Sequence, residues 1–316
     1  MKSTKKQRSR PRQRARGDFR LHRAKLPRSA FAIAVGREKK PPDPIDKKTW
    51  SSITNLPDDV SLRTSDFHGT AVREAHELWG HWVALCLDLR SVIESSADDP
   101  IYEVSLTFGD ELQASLYAVL TGFYRQAIAG LRSGLEGMMA GALFRAYPDP
   151  AEFKGWADGT GDKLWWSNMR KRLAKVAPYA QFEGSGQRLD HLMADGGWVN
   201  YLYQRLSAFS HGRPQHVDEF GRWMPTANVY LWGGSNGPIY EPEAFRLWTA
   251  YYTGVALTAL FLVGLSEPRV VSIATPTEVA YRELLLRVAA TESLKMIPVV
   301  GRVVRYLLAP ESRVDK

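Results

Sequence analysis

A nearly uncharged stretch from Leu120 to Leu143 constrains the fold more than any other part of the sequence. Its only charged residues are Arg125, Arg132 and Glu136, and most of its other residues are small or apolar. It also holds four glycines at intervals of four, three and four residues, which a helix places on one side; they are Gly130, Gly134, Gly137 and Gly141. Because a glycine inside a helix costs roughly 0.5–1 kcal/mol relative to alanine, this pattern predicts close packing against another helix. The apolar segment Trp248–Leu265 is the expected partner.

The three charged residues of this stretch form one column on the predicted helix. Arg125 and Arg132 are seven residues apart, and Glu136 follows Arg132 at the i,i+4 distance at which an Arg–Glu pair forms. The column is either a structural ion pair at a solvated helix edge or part of a functional site. The sequence leaves both interpretations open.

The positive charge of the chain is concentrated at its N-terminus. Residues 1–50 hold seventeen Lys and Arg against four acidic residues, whereas residues 51–316 hold twenty-five against thirty. The first fifty residues have too few apolar side chains to fold alone, so we predict a disordered basic arm that ends near Trp50. Such an arm attracts polyanions, RNA or generic nucleic acid above all. An anionic membrane surface or simple solubility would also explain it.

The number and spacing of the Cys and His residues argue against a disulfide and against a metal site. The single cysteine, Cys86, cannot form an internal disulfide and offers no zinc-ligand spacing. His76 and His81 are five residues apart, so a helix does not place both rings on one face. We therefore predict neither a metal nor a cofactor. No secretory signal follows the opening charges, and we expect a cytoplasmic protein.

Proline, glycine and capping residues divide residues 51–316 into about six helices, apart from one or two short ones within 151–178. The expected elements are Thr70–Ser96, Asp110–Tyr147 with Asp110 as the N-cap, one or two short helices within 151–178, Arg188–Gly212, Pro242–Gly264, Pro276–Thr291 and Val299–Leu308. Residues 216–240 predict a short β-hairpin or an irregular loop excursion. The fold class is accordingly an all-α helical bundle, with a single domain over residues 51–316.

The segment Pro242–Gly264 is apolar enough to require a separate interpretation. No charged residue lies between Arg246 and Glu267, and about 20 apolar residues suffice to cross a bilayer. However, its threonine and tyrosine residues make it less apolar than a typical membrane span. A central helix of a bundle is also apolar on all sides, because other helices surround it. We expect a core helix and no membrane span.

A second helix carries the most chemically suggestive residues. It ends in the sequence Ser210-His211-Gly212-Arg213-Pro214, where glycine and proline are helix-stop signals. A helix C-terminus favours a protonated imidazole, so His211 would lie where its charge is stabilised. Arg205, Ser207 and Ser210 precede it within two turns.

Together these two helices resemble the HEPN superfamily of helical proteins. The resemblance rests on Tyr124–Ala127, Leu131-Arg132 and Leu135-Glu136 in the first helix, and on Leu206–Gly212 in the second. It covers a core of about residues 110–214. Active members are metal-independent ribonucleases of toxin–antitoxin and anti-phage systems, with an Arg and a His four to six residues apart at a dimer interface. Arg205 and His211 match this spacing, although Leu206 stands where active members usually have a polar residue.

The resemblance implies one function, and the residues themselves leave an alternative. As a ribonuclease, the protein would use His211 as general acid/base and Arg205 to stabilise charge on the phosphate. The substrate-binding residues would be Arg125, Arg132, Glu136, Ser207, Ser210 and Arg213, in a homodimer with a cognate antitoxin as a further partner. Alternatively, the protein is a non-catalytic helical scaffold or nucleic-acid-associated binding protein. In that case Arg125, Arg132, Glu136 and His211 form a buried polar cluster.

Overall fold

A computed structural model describes residues 46–93, 99–184, 189–210, 238–271 and 276–309. Residue contacts divide the chain into two units, Met1–Ser51 and Ser52–Lys316. The predicted basic arm, except for its last residues, lies outside the described residues, as does nearly all of the predicted excursion at residues 216–240. Within the described residues every regular element is a helix and no strand is present, so the all-α prediction is confirmed there.

The helices are more numerous than the six that the sequence predicts. In chain order they are α1 (Lys47–Val92), α2 (Pro100–Leu120), α3 (Tyr124–Ala146), α4 (Pro150–Ala157), α5 (Trp166–Leu173), α6 (Ala177–Ala180), α7 (Trp198–Ser210), α8 (Pro242–Ser266), a 3-10 turn (Pro268–Val271), α9 (Pro276–Ala289), α10 (Glu292–Lys295) and α11 (Pro298–Leu308). Proline at the first or second position begins several of them, because its fixed φ suits a first helical turn.

The predicted helix Asp110–Tyr147 is in fact two helices, so that prediction is wrong. The chain breaks at Gly122, whose φ of +82° lies in the left-handed region. A Cβ at this position would lie 2.5 Å from the carbonyl oxygen of Ile239, so only glycine fits. Asp110 lies inside α2 and is not its N-cap. Asp99 caps α2 instead, accepting hydrogen bonds from the backbone N–H groups of Ile101 and Tyr102.

The glycines of α3 pack against α2, and not against the segment Trp248–Leu265 as the sequence predicts. A Cβ on Gly134 would lie 2.8 Å from the ring of Phe108, and one on Gly141 would clash with Val104. Gly137 is different, since a Cβ there would meet nothing within 4 Å. Close approach of two helices joined by a three-residue turn therefore explains two of the four glycines fully.

Helix α3 lies at the centre of the helical unit. It contacts α2, α5, α7 and α8, and nearly all of its apolar side chains are buried. A chain of buried hydrogen bonds joins three of these helices: Trp248 Nε1 donates to Ser115 Oγ at 2.9 Å, and Ser115 Oγ donates to the carbonyl oxygen of Ala127 at 2.8 Å. The position of α3 is thus determined by both packing and specific polar contacts.

Helix α8 is a core helix of this unit. Among the helices of the described residues, α8 alone has the length and composition that crossing a membrane requires. However, 72% of its most apolar window is buried within the protein. Its apolar character is therefore matched by burial among the other helices.

Helix α1 extends well beyond the predicted start at Thr70. Its backbone leaves helical geometry at His68, with φ of −130° and ψ of 22°, so two helical segments meet there. The His68 ring stacks on Phe245 with centroids 4.3 Å apart, and its Nε2 lies 3.2 Å from the Tyr240 hydroxyl. The predicted helix thus corresponds to the second segment of α1.

Candidate functional site

Helices α3 and α7, which the resemblance pairs, pack against each other in antiparallel directions. Near the start of α3, Arg125 Nε donates a hydrogen bond of 3.0 Å to the carbonyl oxygen of Phe209, in the last turn of α7. Two turns further along α3, Arg132 Nη2 donates to the hydroxyl of Tyr203 at 2.9 Å. Arg125 therefore binds a backbone carbonyl in the last turn of α7, where the carbonyl groups of a helix accept hydrogen bonds from outside the helix.

Arg132, Glu136 and Tyr203 form a polar triad between the two helices. Arg132 Nη2 also donates to Glu136 Oε1 at 3.0 Å, and the Tyr203 hydroxyl donates to the same oxygen at 2.8 Å. The side chains of Arg132 and Glu136 are 18% and 37% exposed. The predicted pairing of Arg132 with Glu136 is thus present, at the border between core and solvent.

The surroundings of the triad favour the neutral form of Tyr203 and the charged form of Arg132. Burial, followed by the hydrogen bond to Glu136, raises the pKa of Tyr203 above its usual value. Burial alone would lower the pKa of Arg132, but the Glu136 carboxylate and the Tyr203 hydroxyl outweigh it and raise that pKa. The buried ring of Trp166 stacks on Tyr203, with centroids 3.9 Å apart and planes 10° apart. The triad is therefore arranged to hold an ion pair, and Tyr203 is not adjusted for proton transfer near neutral pH.

Arg205 lies on a different side of α7 from the triad. It follows Tyr203 by two residues, which places it about 160° around the helix. Its guanidinium carbon lies 5.3 Å from the centroid of the Tyr201 ring, and the side chain is partly exposed. Leu206, the next residue, is fully buried. The structure therefore does not bring Arg205 together with Arg132 and Glu136.

The remaining predicted residues lie at or beyond the end of α7. Ser207 follows Tyr203 by one helical turn, and its Oγ is buried without a hydrogen-bond partner among the described residues. Ser210 is the last residue of α7, and its side chain is outside the described part of the chain. His211 and Arg213 also lie outside the described residues, so their predicted roles stay predictions.

Tyr203 and Trp166 are the two residues of this site that the sequence analysis missed. Tyr203 lies next to Leu202 and Leu206, two buried apolar residues of α7, and a tyrosine at such a position is normal without any special role. Trp166 is separated from it by more than thirty residues, so no spacing pattern connects them. The sequence offers one weak signal for Tyr203. Its ring can pack with the apolar residues of α7 while its hydroxyl reaches the charged column of α3.

A second ion network connects three helix ends and is structural. Arg145 in the last turn of α3 pairs with Asp99, the N-cap of α2, and with Glu267, the C-cap of α8, at 2.6 Å from Nη2 to Oε2. Arg269 binds the other oxygen of Glu267 at 2.7 Å. Both carboxylates are 2% exposed, so each depends on these partners. In the part of the chain that the structure describes, no group of three or more His, Cys, Asp or Glu residues could hold a metal ion.

Comparisons with protein-family models, with curated proteins and with solved structures found no match for this chain. A function is therefore inferred from the geometry of the α3–α7 face together with the sequence resemblance.

Proposed function

We propose that this protein is a HEPN-like helical protein that cleaves RNA without a metal ion, using Arg205 and His211. The observation that carries the proposal is the antiparallel packing of α3 and α7, the pair of helices on which the resemblance rests. The hydrogen bond from Arg125 to Phe209 supports it further, because this bond fixes the end of the helix that leads into His211.

In the proposed reaction the 2′-hydroxyl of a ribose attacks the adjacent phosphate. His211, together with its counterpart in a second subunit, removes the proton of this hydroxyl and protonates the departing 5′-oxygen. Arg205 stabilises the negative charge that grows on the phosphate. The products are a 2′,3′-cyclic phosphate and a 5′-hydroxyl, and no oxidant or further reactant is needed. Ser207, Ser210 and Arg213 would position the strand.

A homodimer is part of the proposal because one α7 is insufficient. On a straight helix Arg205 and His211 are about 120° apart, so their groups converge more easily between two copies of the chain. Arg205 is partly exposed on the side of α7 away from the triad, which supports a role towards a second subunit. A cognate antitoxin would then act by covering this face.

The experiment compares the purified protein with its His211→Ala variant on a generic RNA in the presence of EDTA. We expect cleavage in the chelator, a 2′,3′-cyclic phosphate at the new end, and a loss of ~10²–10⁴ in rate for the variant. His81→Ala is the matched control and should cleave normally, since His81 lies on α1 and is not one of the proposed site residues. Activity that disappears in EDTA but survives His211→Ala would overturn the proposal.

The second candidate function is a non-catalytic helical scaffold or nucleic-acid-associated binding protein. It is favoured by the triad, because Arg132, Glu136 and Tyr203 hydrogen-bond one another and so join α3 to α7. In this case Arg132→Ala should lower the melting temperature, and neither the protein nor its His211→Ala variant should cleave RNA. Expression of both forms in cells gives a parallel test, because only the ribonuclease predicts toxicity that depends on His211.

A further inference from the structure

An open cavity of about 320 Å³ lies beside the exposed side of α5, and none of the residues on which the resemblance rests lines it. Four cationic side chains line it, together with one tryptophan; they are Lys163, Lys171, Arg172, Lys175 and Trp165. We call this cavity the basic pocket. Its volume is within the range of sites that hold small molecules or single nucleotide units.

The basic pocket has a positive excess in a part of the chain that is acidic as a whole. Two carboxylates, Glu152 and Asp162, also line it, so four positive charges face two negative ones. Arg172 Nη1 lies 3.9 Å from Glu152 Oε1, a weak pair in which both side chains are about two-fifths exposed. The three lysines make no ion pair with any described residue. Their charges therefore remain available to a phosphate-bearing ligand.

Trp165 is the unusual residue of this pocket because its side chain is 64% exposed. The next residue, Trp166, is buried and stacked on Tyr203, so the backbone at Trp165 is anchored to the α3–α7 face. A large aromatic ring held at the surface by a buried neighbour presents a flat face to solvent. Such a face stacks well on a nucleic-acid base.

A second planar group in the pocket is already oriented. The guanidinium carbon of Arg172 lies 4.8 Å from the centroid of the Tyr147 ring, and the Tyr147 hydroxyl donates to the Arg172 carbonyl oxygen at 3.3 Å. Stacking on Tyr147 limits the freedom of the Arg172 side chain, and a pre-oriented guanidinium loses less entropy when it binds a phosphate.

We propose that the basic pocket binds a segment of single-stranded RNA, with Trp165 stacked on a base and the lysines on the adjoining phosphates. The combination of a stacking ring and cations in a concave site fits an unpaired strand, because the bases of a duplex are already stacked on each other. This inference rests on the proposed function only for the choice of RNA. It adds a binding site for the strand outside the residues proposed to cleave it.

The test measures strand preference, which is the ratio of the affinity for a single strand to the affinity for the duplex. The basic N-terminal residues bind both forms through charge, so their contribution largely cancels in this ratio. The full chain is titrated with a 2′-O-methyl RNA single strand, which has no 2′-hydroxyl to react, and with the corresponding duplex. Trp165→Ala is compared with Tyr117→Ala, since the Tyr117 side chain on α2 is similarly exposed at 61%. A loss of strand preference of about tenfold is expected for Trp165→Ala alone, as for one lost base stack. A Lys171→Gln/Lys175→Gln variant should weaken strand binding and reduce its salt dependence.

Each outcome bears on the pocket and not on the cleavage proposal. An unchanged single-strand preference in Trp165→Ala would overturn the inference, even if His211→Ala abolishes cleavage. Loss of the preference in Trp165→Ala would support the inference, even if no cleavage is found. Trp165-dependent binding to phosphatidylserine vesicles without any strand preference would assign the pocket to a membrane surface and overturn it. Circular dichroism of each variant verifies that the helices are intact.

Discussion

The glycines of α3 give the sharpest test of how this protein packs. Gly137 and Gly141 lie one turn apart in the same helix, and neither has a positive φ. A Cβ on Gly137 would meet nothing within 4 Å, whereas a Cβ on Gly141 would clash with Val104 and lie 3.0 Å from the Pro100 carbonyl oxygen. The same substitution to alanine should therefore have opposite effects at these two positions.

The expected magnitudes follow from helix propensity and packing. Alanine gains about 1 kcal/mol over glycine in a helix interior, so Gly137→Ala should stabilise the protein by about that amount. Gly141→Ala has the same gain, but crowding a packed interface typically costs about 1–3 kcal/mol. The net effect is a loss of up to about 2 kcal/mol. Gly→Ala changes the entropy of the unfolded chain equally in both variants. The difference between their free energies of unfolding therefore reports the packing at Gly141.

Urea denaturation followed by circular dichroism measures both free energies of unfolding. A second substitution, Val104→Ala, provides the control, because it removes the methyl groups that the new Cβ of Gly141→Ala would contact. The double variant should therefore lose less stability than the sum of the losses of the two single variants. If Gly141→Ala is as stable as Gly137→Ala, then α2 does not approach α3 closely at Gly141, and the explanation of the glycine pattern is refuted.

Three further measurements test other parts of the structure. Glu136→Ala should destabilise the protein more than the double change with Arg132→Ala, because it leaves a partly buried guanidinium without its carboxylate; purely additive losses would count against the triad. A shortened chain that starts at Trp50 should fold normally, lose most affinity for generic nucleic acid and show a shallower salt dependence; full retention of affinity would place binding elsewhere. Burial, and then the charge of Arg246, lowers the pKa of His68 below its usual 6.5. Protonation then favours the unfolded chain, so stability should fall as the pH drops below about 6.5 until the lower folded-state pKa is passed. His68→Gln should flatten that part of the stability profile, and an unchanged profile would contradict the reasoning.

The sequence by itself determined the local structure of this protein. Helix-start prolines such as Pro242 and Pro276, and the stop before Pro148, are signals that act within a few residues, and the structure has helix boundaries at or next to each. The i,i+4 spacing of Arg132 and Glu136 is also local, and that pair is present. Such features depend on the backbone of one helix, so the neighbouring sequence is sufficient to predict them.

Only the tertiary structure decided which elements meet. The break at Gly122 depends on the backbone of Ile239, more than a hundred residues away, so the sequence predicts one long helix where there are two. The contact of the α3 glycines with α2 and the addition of Tyr203 to the Arg132–Glu136 pair have the same cause. These contacts arise from the packing of many apolar side chains at once, which no short-range pattern encodes.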